Sequence, residues 1–141
     1  MQRFSSIVLV DGRGWLLLQE RDEHPVIDPE KWGFVGGGVE PGEDYETAAY
    51  RELAEETGVE LTGGLRLLDT FGVFHTHSQS DDEFSLWLMR IDLTDAEIVL
   101  GEGRRIVFVD PGTARSLDLT AAAKIALPVI LDSDLCQELI A

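Results

Sequence analysis

The 141-residue sequence predicts an α/β fold, an α/β/α sandwich in which two helical layers cover a mixed β-sheet. Three observations point there. The first strand candidates, Phe4 to Val10 and Trp15 to Glu20, are too continuously apolar to keep one face in water, with Leu16, Leu17 and Leu18 in a row. Glu46 to Thr57 has the composition of a helix, and Gly58 sits where a left-handed cap would stop it. A second helical region follows Thr120. Apolar content of 44% suits a single domain, residues 1–141, with a sizeable core and no internal repeat, low-complexity tract or linker.

Taken in order, Asp11-Gly12-Arg13-Gly14 reads as the hairpin turn between the first two strands. Arg21 ends the second strand, and His24-Pro25 through Pro29 is a loop by its prolines and aspartate. Trp32 to Val35 is a short strand entering the run Gly36-Gly37-Gly38, and Pro41-Gly42 turns the chain before Glu43 and the helix. Leu65 to Phe74 and Glu83 to Leu93 are strands around a polar loop, His75 to Asp82. Phe84, Leu86, Leu88 and Ile91 are core candidates. His75 and His77 would suit a metal pair, but no cysteine or further histidine stands near, which favours solvated loop histidines. Glu97 to Leu100 reads as a brief pairing segment, and Gly101-Glu102-Gly103-Arg104 interrupts before a strand from Arg105 to Val109. Thr120 caps a helix through Ala121 to Leu127, kinked or ended by Pro128, and Val129 to Leu131 and Leu135 to Ile140 complete a final helical region.

The chemistry concentrates on the helix after the glycines. At about 100° per residue, Ala49, Tyr50, Leu53, Ala54 and Thr57 form a docking side. Glu52, Glu55 and Glu56, at i, i+3 and i+4, gather on the other. Like charges so spaced each cost about 0.2–0.5 kcal/mol in an isolated helix. Hard oxygen ligands on one face are repulsive until a cation such as Mg²⁺ arrives. A plain solvated acidic face would carry the same glutamates, so the surrounding stretch has to decide.

Gly37, Glu43, Arg51, Glu52, Glu55, Glu56 and Gly58, with apolar Leu53 and Val59, match G-x5-E-x7-R-E-U-x-E-E-x-G-U at every fixed position. With each residue type at about 7% usage, seven fixed positions coincide by chance about once in 10⁸ frames. This stretch, residues 37–59, resembles the Nudix box, and the chain is similar to MutT-type Nudix hydrolases. The resemblance implies Mg²⁺, with Mn²⁺ as a substitute, held by the Gly36 carbonyl, Glu52 and Glu56, with Glu55 joining directly or through water. It also implies a distal glutamate, for which Glu102 between two glycines is the candidate, although Arg104 stands where a glutamine is common. Arg51 pairs with Glu55 at i, i+4 and orients the carboxylates. The general base lies between Glu52 and Glu102. Gly37 and Gly38 allow close approach of the substrate. Arg21 is either a phosphate contact or a surface arginine paired with Asp22 or Glu23. Val35 replaces a proline common in the family, which loosens the loop without removing a ligand. Trp87, alternating out of the core set, is the candidate for a base-stacking platform.

The implied function is metal-dependent hydrolysis of a diphosphate linkage in a nucleoside diphosphate derivative. A (deoxy)nucleoside triphosphate, oxidised forms included, is favoured, giving nucleoside monophosphate and pyrophosphate. Nucleotide sugars come second, and a non-catalytic nucleotide or metabolite sensor third. A structural acidic module accounts for the helix but not for Gly37, Glu43 and Gly58 at their spacings. No Ser–His–Asp or Cys–His arrangement supports covalent catalysis. The net charge of −16 argues against nucleic acid or an anionic membrane as partner and makes a divalent cation the means of meeting polyphosphate. A homodimer is compatible with the sequence. One cysteine, Cys136, and no long apolar run fit a cytoplasmic enzyme.

Overall fold

The computed structural model describes residues 1–25 and 27–141. Seven strands form one mixed sheet: β1 (Arg3–Val10), β2 (Leu16–Glu20), β3 (Trp32–Gly33), β4 (Val35–Gly38), β5 (Arg66–His75), β6 (Ser80–Arg90) and β7 (Arg105–Val109). Helix α1 (Tyr45–Thr57) packs on one face through Ala49 and Leu53, against Ile7, Leu9, Leu17, Val35, Trp87 and Phe108. The other face carries Val8, Val10, Leu16, Leu18, Leu86 and Leu88. It is covered by α2 (Pro111–Ser116), α3 (Ala121–Asp132) and α4 (Asp134–Ile140). Both faces are dry, which is why successive residues of β1 and β2 are all apolar. No helix among the described residues is long and apolar enough to cross a membrane.

A split in the sheet places the site. β1 and β2 pair at their hairpin, Val10 opposite Leu16, and then part. Beyond that point β1 runs antiparallel to β4 and parallel to β6, while β2 pairs with β3 and β7. The chain from Trp32 to Gly38 therefore crosses the gap, giving β3 to one side and β4 to the other. The single strand expected over Trp32 to Val35 is two, because consecutive residues serve partners that have diverged.

Other local differences have equally simple causes. The polar loop expected over His75 to Asp82 shrinks to the turn 76–79, with Gln79 in a left-handed conformation at φ 51°. Both strands run on because His75 and Asp82 pair inside. Asp95–Glu97 is a 3-10 turn rather than part of a pairing segment, braced by Thr94 and Glu97 and by Asp95 accepting from the Phe108 amide at 2.8 Å. Helix α2, missed in the sequence, has its start signal in Asp110-Pro111, with Asp110 accepting from the Thr113 amide. Pro128 neither ends nor divides α3, which continues to Asp132. Its missing donor costs about 3 kcal/mol in principle. Ala126, Leu127 and Ile130 around it are buried, and Lys124, whose carbonyl loses its partner, is exposed to water. Trp87 is buried in the α1-side core with its Nε1 donating to Ser85 Oγ at 2.8 Å, so it is no stacking platform. Its alternation was misleading because the opposite face of β6 is buried too.

Candidate active site

A cavity of ≈ 350 Å³ lies at the split, lined from β1 by Phe4 and Ser6, from β2 by Gln19, and from the crossing segment by Gly33, Phe34 and Gly36 to Gly38. Helix α1 presents Glu52 and Glu56 to it. The Asp44 carboxylate caps α1 by accepting from the Thr47 amide at 2.7 Å, worth about 1 kcal/mol, and Gly58 ends it in the left-handed region at φ 75°. Glu52 and Glu56 are buried, on the packed half of the helix beside Leu53, rather than on a wet face opposite it. Gly37 makes room for Glu52, since a Cβ there would stand 2.6 Å from its carboxylate.

The segment after the 3-10 turn is sewn to the end of α1. The Val99 amide donates to the Thr57 carbonyl at 2.9 Å and the Gly101 amide to the Glu56 carbonyl at 2.8 Å. Gly101 is pressed so close that a Cβ would meet the Glu55 carbonyl at 2.2 Å. This brings Glu102 to the cavity wall beside Glu56. Gln19, a lone polar residue among the leucines of β2, ties the two together. Its Nε2 donates to Glu56 Oε2 at 2.8 Å and to the Glu102 carbonyl at 2.9 Å. Sequence reasoning missed it, although a buried glutamine in an otherwise apolar strand is itself a signal.

Burial and the adjacent Glu102 carboxyl push the Glu56 carboxyl up to about 8. Burial also raises Glu52, which Arg51 partly offsets. Arg51 stands outside the cavity and acts through its partners. It donates to both Glu43 oxygens at 2.8 Å, to Glu52 Oε1 at 2.9 Å and to the Gly38 carbonyl at 2.9 Å. Its contact with Glu55, the one the i, i+4 spacing suggested, is longer, at 3.3–3.4 Å. The Arg51 guanidinium holds Glu43 down at about 2. Glu55 is exposed and lies outside the cavity lining.

Arg21 lines the cavity, and its buried Nε has no hydrogen-bond partner among the described residues. It does not take the surface pairing with Asp22 or Glu23; Glu23 pairs instead with Arg104, at 3.2 Å. Asp22, Glu23 and His24 bring ligand atoms within 4.8 Å of one another, but on the surface, where such acidic groups are ordinary. The histidines part company: His77 is exposed, whereas His75 is buried, lines the cavity and bonds Asp82 at 2.6 Å.

The cavity thus gathers Glu52, Glu56, Glu102, Gly36, Gly37, Gly38 and Arg21, and leaves Arg51 and Glu55 behind the wall. The Glu52 and Glu56 carboxyls, raised by burial and by neighbouring carboxylates, are hard oxygen donors that fit a divalent cation, which would relieve that repulsion.

A profile of the NUDIX domain matches residues 2–128. The chain belongs to the NUDIX family. Among related NUDIX proteins, an RNA pyrophosphohydrolase of Caulobacter vibrioides is 55% identical over 49 residues, 35% of this chain and 26% of that protein. The nucleoside triphosphatase NudI of Salmonella agona is 40% identical over 60 residues, 43% of each chain. The matched stretches thus span less than half of these relatives. The MutT protein of Methanosarcina mazei Go1 superposes with a TM-score of 0.74 at 19% identity, covering 91% of both chains, a likeness of fold.

Proposed function

We propose that this NUDIX protein is a divalent-metal-dependent pyrophosphohydrolase whose substrate is a nucleoside triphosphate, oxidised forms included, cleaved to nucleoside monophosphate and pyrophosphate. The observation that carries the reading is the meeting of Glu52, Glu56 and Glu102 on one cavity wall, with an unpartnered arginine, Arg21, in the same cavity. The relatives named RNA pyrophosphohydrolase and nucleoside triphosphatase support hydrolysis of a phosphoanhydride.

Glu52, Glu56 and the Gly36 carbonyl would hold Mg²⁺ or Mn²⁺, with Glu102 and, from outside, Glu55 as further oxygens. The bound cation supplies Lewis acidity at the phosphate bridge and lowers the pKa of water. The remaining work belongs to the chain. Arg21, which lines the cavity, would offer its guanidinium to phosphate oxygens, a charge-assisted contact. Gly37 and Gly38 let the backbone approach the phosphates. Arg51 fixes the Glu52 carboxylate, and Gln19 fixes that of Glu56. Glu52 and Glu102 are the candidates for taking a proton from the attacking water.

Turnover of a panel of nucleoside triphosphates, nucleotide sugars and dinucleotides, with Mg²⁺ and then with chelator, tests the proposal. Chelator-sensitive hydrolysis with triphosphates leading is expected. Turnover of none, or turnover indifferent to chelator, contradicts it. Metal titration of Glu102→Gln beside Glu52→Gln assigns the base: the base variant loses about 10²–10⁴-fold in kcat at saturating metal. A ligand variant recovers part of its rate with excess Mg²⁺.

A further inference from the structure

One buried polar couple on the cavity wall has no part in the chemistry above. The Asp82 side chain is wholly buried. Its carboxylate accepts from the Gln2 amide at 2.8 Å, from the Ser80 hydroxyl at 3.1 Å to each oxygen, and from His75 Nδ1 at 2.6 Å. These donors, His75 foremost, hold Asp82 below the usual carboxylate range. An ionised carboxylate only accepts, so the shared proton sits on Nδ1 and the tautomer is fixed. In the neutral ring Nε2 is then an acceptor, and it has no hydrogen-bond partner among the described residues. The ring is 8% exposed, and the surface it keeps lines the cavity. Nε2 is not fully buried, so it meets solvent in the cavity, where a ligand donor can take the place of water.

The surroundings say what kind of ligand. The register Val73↔Asp82 and His75↔Ser80 puts His75, Val73 and Phe84 on one face of the sheet, and Phe4 lies opposite Phe84 on β1. The Phe4 ring meets the His75 ring edge-on at 5.7 Å and 86°. Phe84 belongs to the core on the face away from α1, so this end of the cavity is apolar and aromatic, while α1 brings Glu52 and Glu56 from the other face. A phosphate here would face the Asp82 carboxylate directly behind the ring. A flat heterocycle would not.

We propose that His75, oriented by Asp82, determines base specificity: its Nε2 accepts a hydrogen bond from a ring or exocyclic N–H of a nucleobase seated against Phe4, Val73 and Phe84. The inference rests on reading the cavity as a nucleotide site, and its test is separable from that reading. In ¹⁵N-labelled protein without added metal, the His75 Nε2 resonance is followed on titration with AMP, GMP, CMP, UMP and ribose 5-phosphate. At least one nucleotide moves it and ribose 5-phosphate does not. An equal response to ribose 5-phosphate, or no response to any nucleotide, overturns the proposal.

Kinetics give the second arm. The wild type should discriminate among the four triphosphates, and His75→Phe should shrink the spread in kcat/KM by about 3–10-fold, the worth of one hydrogen bond, mainly through KM. Asp82→Asn, which keeps a partner for Nδ1 but permits the other tautomer, should reduce the same selectivity in a folded protein. Equal kcat/KM for all four in the wild type, or an unchanged spread in both variants, overturns the assignment. If the wild type turns over no triphosphate, the hydrolase reading fails, and the resonance titration still decides the role of His75.

Discussion

At the scale of the residue, Glu56 in its proposed role as a metal ligand would serve activity at the expense of the metal-free fold. It is buried beside two other carboxylates, with Gln19 as its neutral partner. Glu56→Gln should therefore leave the metal-free melting temperature unchanged or raised, and cut turnover about 100-fold or more. Thermal melts without metal and rates with it check both halves; an early-melting variant that keeps its turnover would make Glu56 structural. Asp82 behaves in the opposite sense. Its folded pKa is depressed, so its contribution is present above the ordinary carboxylate value and is lost as pH falls through the folded one. Denaturant unfolding at pH 7, 5 and 3 should show Asp82→Asn less stable than wild type at pH 7 and 5, with the gap closing towards pH 3. A gap as wide at pH 3 as at pH 7 contradicts the assignment. Helical spacing grouped Glu52, Glu55 and Glu56, and the resemblance to the Nudix box nominated them as ligands. Sequence could not show that His75 leaves the turn and is buried, because strand pairing with Ser80 and the side-chain hydrogen bond to Asp82 decide that, nor that Arg51 holds Glu43, which lies before the helix and folds back onto it.

Among the elements, α1 and the segment 99–103 work as a unit, since backbone bonds from Val99 and Gly101 occupy the last carbonyls of the helix. Gly101→Val places a side chain against the Glu55 carbonyl, which must push the segment off the helix and carry Glu102 away from Glu56. The expected result is a loss of about 100-fold in kcat, the effect of roughly 1 Å of misplacement, with α1 and the global fold retained by circular dichroism. Unchanged kcat would mean that the position of Glu102 is immaterial. The elements themselves were largely legible: apolar runs gave β1 and β2, composition gave α1, and Gly58 gave its C-terminal end. What failed was local grammar overridden by packing. Pro128 reads as a stop, yet Leu127 and Ile130 hold the helix on the core around it. The segment 97–100 reads as a brief pairing segment, yet the Val99 amide, like that of Gly101 just after it, is already engaged with α1.

For the whole molecule, the divergence of β1 from β2 opens the cavity, and a net charge of −16 surrounds it. Neither the split nor the burial of the carboxylates is written in any one segment, because each depends on partners far along the chain. If the cavity binds Mg²⁺, a concentration 100-fold above Kd stabilises by about 2.7 kcal/mol, or about 5–10 °C in Tm. NaCl at matched ionic strength should give less, and the Glu52→Gln, Glu56→Gln double variant should lose the difference. An equal gain from NaCl would reduce the effect to screening. The most direct test of the central claim is ³¹P NMR of a nucleoside triphosphate digested by the wild-type protein with Mg²⁺. Nucleoside monophosphate and pyrophosphate should appear in equal amounts, and a chelator should stop both. Orthophosphate with nucleoside diphosphate as the first products, or pyrophosphate release that continues under chelation, would contradict the account.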